Sequence, residues 1–148
     1  MRSQVEAHLI AVMAAYRDFA DNLPDGALAR DLGVRSNSVG SQFWCVVGAR
    51  ESFARAIEHG AWAGFQCSLG ADDVHEKEAI LAGLDRAGRQ VVETLARVEW
   101  TEDRDDLLLT LLDHEYQHQG QLIRYAYALE VPFPPSWKDR WGLSDPEE

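Results

Sequence analysis

Proline and glycine divide this chain into four long segments in which apolar residues recur with the period of an α-helix. The first segment carries Leu9, Val12, Met13, Tyr16 and Phe19 at spacings of three and four residues. Such spacing places the apolar side chains on one face of a helix. The four segments cover residues 3–21, 38–59, 72–98 and 101–130.

The segment ends carry residues suited to begin or end a helix. Gly60 fits a C-cap, and Pro132 prevents the fourth helix from continuing beyond about Glu130. The candidate N-caps are Ser3, Ser38, Asp72 or Asp73, and Thr101. Because no segment alternates between apolar and polar residues over the length of a strand, the sequence predicts an all-α protein. Four such helices in one domain, residues 1–148, predict a four-helix bundle.

Two stretches outside these helices add to the expected fold. Residues 24–37 form a long first connection, which suggests a crossover between the first two helices. The C-terminal tail PFPPSWKDRWGL is rich in proline and tryptophan. We expect Trp137 and Trp141 to dock on the helices, because such large apolar rings gain from burial.

The acidic charge narrows the range of partners. A formal net charge of −11 over 148 residues argues against a nucleic-acid surface and against docking on anionic lipid. No apolar run reaches the roughly 18 residues of a membrane span, and Glu6 and His8 interrupt any signal-peptide pattern. Cys45 and Cys67 are too few for a disulfide framework. A reduced, cytoplasmic setting is therefore expected.

The stretch LLDHEYQHQGQLIRYAYAL, residues 111–129, carries His114 and His118 one helical turn apart within an apolar stripe. Both imidazoles are expected to point inward, on the face that also carries Leu111, Gln121, Leu122, Tyr125 and Leu129. Side chains at i and i+4 are close enough for both rings to bind one metal ion. Alternatively, each histidine is a core residue hydrogen-bonded to Gln121, Tyr125 or a facing helix.

The same stretch contains HExxH, the motif of zinc proteases, but the other requirements of that class are missing. Downstream of His118 the only further carboxylates or histidines are Glu130 and a few acidic residues of the tail, and the HxxGxxH extension is absent. No strand is predicted that would hold an extended peptide. Glu115 lies about 100° around the helix from His114, beside the histidines. We interpret the motif as coincidence.

A catalytic metal site commonly takes three protein ligands, and Cys45 is a candidate for the third. It lies on a stripe of small residues along the second helix, namely Ser38, Ser41, Cys45, Gly48, Ala49, Ser52 and Ala56. Such a stripe admits a neighbouring helix or leaves a cavity, and a cysteine there is often simply a small apolar residue. His8 on the first helix competes with Cys45, whereas His59 and His75 are expected in solvent.

Three pieces of the chain together resemble the DinB-like superfamily of four-helix-bundle metalloproteins. These are SVGSQFWCVVGARESFARAI in the second helix, HEYQHQGQL in the fourth, and VPFPPSW in the tail, so that the resemblance spans essentially the whole chain. It implies one divalent ion, commonly zinc or nickel, held by a histidine of the second helix and by two histidines that match His114 and His118. Cys45 stands where the histidine of the second helix would fall. Either Cys45 replaces that ligand, which we favour, or the site has lost it.

The resemblance also implies a class of activity. Characterised members are transferases or isomerases that use a low-molecular-weight thiol, and members commonly form homodimers. The implied partners are thus such a thiol and a small electrophilic substrate, which a metal site suits by lowering the pKa of the thiol. The alternative is a non-catalytic, stress-related binding scaffold with a degenerate metal site.

Several polar residues near the expected site have roles that the sequence leaves open. Gln121 would orient an imidazole or a water molecule, or satisfy a core group. Tyr125 would offer its hydroxyl to a substrate or pack in the core. Glu51 is either an ion-pair partner or a catalytic group, while Arg50 and Arg55 are expected to form charge pairs on the second helix.

Overall fold

The computed structural model describes residues 1–146, which contain five α-helices and two short 3-10 turns but no β-strand. The helices are α1 (Arg2–Asn22), α2 (Val39–His59), α3 (Lys77–Arg97), α4 (Glu102–Leu129) and α5 (Pro135–Trp141). The 3-10 turns cover Ala27–Ala29 and Asp73–His75. The predicted all-α class is confirmed over this part of the chain. Within it, none of the helices combines the length and the apolar character that crossing a membrane requires.

The N-caps of α2 and α4 are those that the sequence predicts. The side chains of Ser38 and Thr101 each accept a hydrogen bond from the backbone N–H three residues later, at 3.1 and 3.4 Å. These bonds satisfy backbone donors that the first turn of a helix leaves free. Both helices that carry the predicted metal ligands thus begin at positions set by local side-chain chemistry.

The predicted N-caps of α1 and α3 are wrong. α1 already begins at Arg2, one residue ahead of Ser3. α3 begins at Lys77, because the residues after Asp72 first form the separate Asp73–His75 turn and Glu76 is extended. The carboxylate of Asp73 accepts the backbone N–H of Gly70 at 3.0 Å and so stabilises the preceding loop.

The packing of the helices brings the middle of α2 against the middle of α4. Both α1 and α2 pack on α3 and α4. α2 and α4 run antiparallel, since Gln42 near the start of α2 contacts His118, and Ile57 near its end contacts Arg104. Side chains from the central turns of the two helices therefore lie face to face.

The loop that follows α2 folds back along the small-residue stripe of that helix. The Ser52 hydroxyl accepts the backbone N–H of Gln66 at 2.9 Å and donates to the carbonyl of the same residue at 3.1 Å. The ring of Phe65 reaches to 2.3 Å from the point that a Cβ on Gly48 would occupy. At positions 48 and 52 the small residues thus admit a loop and not a neighbouring helix.

The C-terminal tail docks on the helices, as predicted. The Trp137 side chain is fully buried, and its Nε1 donates to the carbonyl of Ala15 at 2.6 Å. The ring lies 4.5 Å from that of Phe19, and the partly buried Trp141 packs against it with ring centres 4.8 Å apart. Burial of the aromatic rings thus holds α5 against α1.

Candidate metal centre

Cys45, His114 and His118 form a cluster where α2 meets α4. One ligand atom of each residue lies within 4.8 Å of those of the other two. Cys45 Sγ is 3.8 Å from His114 Nε2, and the two imidazole ring centres are 4.5 Å apart. The three residues that the sequence indicates as ligands therefore lie close enough to hold a single metal ion.

Gln42 is a polar neighbour of the cluster that the sequence did not indicate. Its side-chain oxygen lies 2.8 Å from Nδ1 of His118, and both residues are buried. The Gln42 contact provides a hydrogen-bond partner for Nδ1 of His118. Its position one helical turn before Cys45 on the same helix is the signal from which the sequence could have suggested it.

His114 lacks a comparable partner. Its Nδ1 atom is buried and has no hydrogen-bond partner among the residues that the structure describes. A buried polar atom without a partner costs on the order of 1–3 kcal/mol. The nitrogen of the same ring that faces the Cys45 thiol is the other one, Nε2.

The surroundings favour the neutral form of all three ligand candidates. Burial raises the pKa of the Cys45 thiol. Burial, and then the nearby Arg50 guanidinium, lower the pKa of His114. Burial and the neighbouring His114 lower the pKa of His118 to about 4, although Glu115 and the side chain of Gln121 act in the opposite direction. Neutral imidazoles are the form that binds metals.

Glu115, the acid of the HExxH motif, is placed where it cannot act on a substrate. Its side chain is fully buried, and its two carboxylate oxygens accept hydrogen bonds from Arg50 Nε at 2.7 Å and Nη2 at 2.9 Å. A protease of this motif needs that carboxylate as a general base. The geometry therefore agrees with the interpretation of HExxH as coincidence, and Arg50 pairs across the helices and not along α2.

The two residues expected beside the ligands differ in their placement. The exposed Gln121 lies near enough to His118 to favour its protonated form. Tyr125 is buried, and its hydroxyl donates a hydrogen bond to the backbone carbonyl of Asn37, just before α2. The Tyr125 hydroxyl thus fastens the first connection to α4.

The other candidates lie away from the cluster. His8 is exposed, with Nδ1 3.2 Å from the Tyr116 hydroxyl, and His59 and His75 are exposed as well. Glu51 is buried, and its carboxylate accepts the backbone N–H of Ser68 at 2.8 Å and its hydroxyl at 2.5 Å. Glu51 thus holds the loop after α2 in place.

Fold and site together define an all-helical protein with a cysteine–histidine–histidine cluster that can hold a metal ion. No family model, no curated protein and no solved structure gives a significant match to the chain. The likeness to DinB-like proteins thus stays a prediction that rests on the three quoted motifs.

Proposed function

We propose that the chain is a zinc-dependent enzyme, built on a four-helix bundle of the DinB-like type, that transfers a low-molecular-weight thiol to a small electrophile. The observation that carries the proposal is the convergence of Cys45, His114 and His118 between α2 and α4. The packing of α1 and α2 on both α3 and α4 supports the bundle.

The spacing of the cluster supports zinc. With Zn–S near 2.3 Å and Zn–N near 2.0–2.1 Å, tetrahedral angles place sulfur and nitrogen about 3.5 Å apart. The 3.8 Å between Cys45 Sγ and His114 Nε2 is within a small side-chain rotation of that value. One thiolate and two imidazoles are ligands that zinc binds well, and nickel is the second candidate.

The number and exposure of the ligands support a catalytic role. Three protein ligands leave one position of a tetrahedral ion open, which distinguishes catalytic from structural zinc sites. Cys45 and His114 are each partly exposed, so that a small molecule can reach the cluster from solvent. A bound divalent ion would act there as a Lewis acid and lower the pKa of an incoming thiol.

An apolar surface beside the cluster suits an electrophile with an apolar body. The ring of Phe65 lies over Gly48, one helical turn from Cys45, and 40% of the residue is exposed. Trp62 in the same loop is 48% exposed and packs on Phe53 with ring centres 4.8 Å apart. Because Ser52 binds the backbone of Gln66, the residue after Phe65, the Phe65 ring is held over Gly48.

Metal content is the first test of the proposal. Untagged protein would be treated with a chelator, dialysed, supplied with zinc or nickel, and analysed for metal per chain by mass spectrometry. We expect about one ion per chain in the wild-type protein and its loss in His118→Ala. His59→Ala removes an exposed histidine outside the cluster and serves as the matched control.

Turnover is the second test. The zinc-loaded protein would be incubated with a supplied thiol and an aromatic halide, and formation of the thioether would be followed by absorbance. Thioether formation that requires zinc and His118 supports the enzyme. Stoichiometric zinc with no turnover for any thiol would favour the binding scaffold, and failure to retain any metal would overturn the metal site itself.

A further inference from the structure

Gln42 and Cys45 face the two histidines of α4 in register. Gln42 lies three residues before Cys45 on α2, and His114 lies four residues before His118 on α4. Since the helices are antiparallel, Cys45 meets His114 at 3.8 Å while Gln42 meets His118 at 2.8 Å. Gln42 is 6% exposed and His118 is 9% exposed, so that this contact is shielded from water.

The contact with Gln42 determines which nitrogen of His118 is free. With the amide oxygen of Gln42, which only accepts, 2.8 Å from Nδ1 of His118, the contact is a hydrogen bond when Nδ1 carries the proton. A neutral imidazole has a single N–H, which leaves a lone pair on Nε2. Without the acceptor, the proton is free to move to Nε2 and would block that nitrogen as a ligand.

The two histidines of the cluster differ in how firmly they are held. His118 has the Gln42 oxygen at one nitrogen, whereas Nδ1 of His114 is buried with no partner in the described part of the chain. The other nitrogen of His114, Nε2, has only the longer 3.8 Å contact with Cys45 Sγ. Of the two imidazoles, His118 is therefore the one with the shorter hydrogen bond to a residue of α2.

We infer that Gln42 is a positioning residue of the metal centre: it holds His118 in the Nδ1–H form and aims Nε2 at the point where Cys45 and His114 converge. The inference rests on the proposed function, since it concerns how the same centre receives its ion. Hydrogen-bond partners of ligating histidines are commonly carboxylates, carbonyls or water, and their loss lowers metal affinity by about 10–100-fold. Gln42 provides such an oxygen without adding a charge to the centre.

Two substitutions of Gln42 distinguish the effect of its acceptor oxygen from the effect of the rest of its side chain. Gln42→Leu keeps an apolar body of similar size and removes the acceptor, whereas Gln42→Glu keeps an acceptor oxygen and removes the amide donor. Gln119→Leu is the matched control, because Gln119 is a buried glutamine, at 7% exposure, that lies outside the three-residue cluster. Zinc affinity would be measured by competition with a chromophoric chelator, and helix content by circular dichroism.

The tautomer of His118 gives a readout that does not depend on bound metal. Nitrogen-15 chemical shifts of the metal-free protein report which ring nitrogen carries the proton. We expect the Nδ1–H form for His118 in the wild-type protein and in Gln42→Glu. In Gln42→Leu we expect a shift of the population toward the Nε2–H form.

The expected affinities follow the same order. Gln42→Leu should bind zinc about 10–100-fold more weakly than the wild type, while Gln42→Glu and Gln119→Leu should stay within a few-fold. Equal zinc affinity in Gln42→Leu and wild type, with loss in His118→Ala, would overturn the inference alone. Should Gln42→Leu not fold, a wild-type His118 in the Nε2–H form would overturn it instead. Wild-type protein that binds no zinc would overturn the proposed function, and this inference with it.

Discussion

Arg50 on α2 and Glu115 on α4 form a two-pronged ion pair in the centre of the protein, with N–O distances of 2.7 and 2.9 Å and side-chain exposures of 1% and 0%. The Tyr16 hydroxyl donates to the backbone carbonyl of Glu115 at 2.5 Å, and its ring centre lies 5.2 Å from the guanidinium carbon. Because Glu115 directly follows His114, this pair fixes α4 against α2 at the level of the cluster.

Breaking the buried ion pair should destabilise the protein strongly. Glu115→Leu leaves the Arg50 guanidinium buried without a counter-charge, which typically costs about 3–5 kcal/mol of unfolding free energy. Arg50→Met likewise leaves the Glu115 carboxylate buried without a counter-charge. The double variant should be less destabilised than the sum of the two, because it removes both charges. Urea unfolding of the four proteins measures this coupling, and additive losses would contradict it.

The large-scale features of the fold could be predicted from the sequence because they depend on repeated signals. Apolar spacing, a few caps and the proline-rich end of the fourth segment indicated the long helices. The side chains of His114 and His118 could be placed near each other because residues four apart share a helix face. Cys45 could be predicted as a ligand only with the resemblance of its segment to DinB-like proteins, since a single cysteine in a helix carries little information by itself.

The polar contacts within the core could not be predicted, because they depend on pairing between segments far apart in sequence. Glu115 was expected beside the histidines, yet it is fully buried with its partner 65 residues away. The buried face of α4 is also wider than the predicted stripe; it comprises Leu108, Leu111, Leu112, Glu115, His118, Gln119, Leu122, Tyr125, Ala126 and Leu129. The available signal was the spacing of Glu115, which lies four residues after Leu111 and seven before Leu122. A charged residue at such a position is more often exposed to solvent than buried.

Arg104 should contribute more to stability than other arginines at the same end of the protein. Its Nε donates to the carbonyl of Ile57 at 2.7 Å and its Nη2 to that of Glu58 at 3.1 Å, which satisfies acceptors at the C-terminus of α2. Arg104→Ala should lower the free energy of unfolding by about 1.5–3 kcal/mol. Arg97→Ala, which removes a half-exposed ion pair with Glu58, should cost at most about 1 kcal/mol. Equal losses in chemical denaturation would contradict this ranking.

The metal-free protein should lose stability as the pH falls from 7 to 5. His118 has a pKa of about 4 when folded, mainly because burial disfavours its charged form. In the unfolded chain its pKa is about 6.5. Between these values the unfolded state binds more protons, so that acid favours unfolding. We expect a loss on the order of 1–2 kcal/mol from this group by pH 5, after allowance for partial solvent screening.

The source of this pH dependence is tested with His118→Gln in the presence of a chelator. Glutamine does not titrate, and so the variant should show a shallower decrease in unfolding free energy between pH 7 and 5. Carboxylates contribute equally to both proteins and cancel in the comparison. Parallel pH profiles for the two proteins would show that His118 keeps an ordinary pKa.

The substitution Glu130→Gly should stabilise the protein. Glu130 ends α4 with φ at 55° and ψ at 43°, in the left-handed region that side chains with a Cβ disfavour. Relief of that strain, partly offset by the greater freedom of glycine when unfolded, should add up to about 1 kcal/mol. Glu130→Ala keeps the Cβ and should bring no gain. Thermal unfolding distinguishes the two, and a lower melting temperature for Glu130→Gly would contradict the expectation.

Cys45 should behave as a metal ligand, whose loss weakens zinc binding more than the loss of a supporting residue such as Gln42. Cys45→Ser replaces a thiolate by a hydroxyl that ligates poorly, and affinity should fall beyond the roughly 10–100-fold typical of lost supporting contacts. Cys45→His should retain zinc, since a third imidazole is also a suitable ligand. Cys67→Ser is the control, because Cys67 is also partly exposed but bonds to the Trp44 carbonyl and lies outside the cluster.

With cobalt in place of zinc, the wild type and Cys67→Ser should show near-ultraviolet thiolate-to-metal charge-transfer absorption that is absent from both Cys45 variants. Persistence of that absorption in Cys45→Ser would assign the sulfur to another residue and remove Cys45 from the centre.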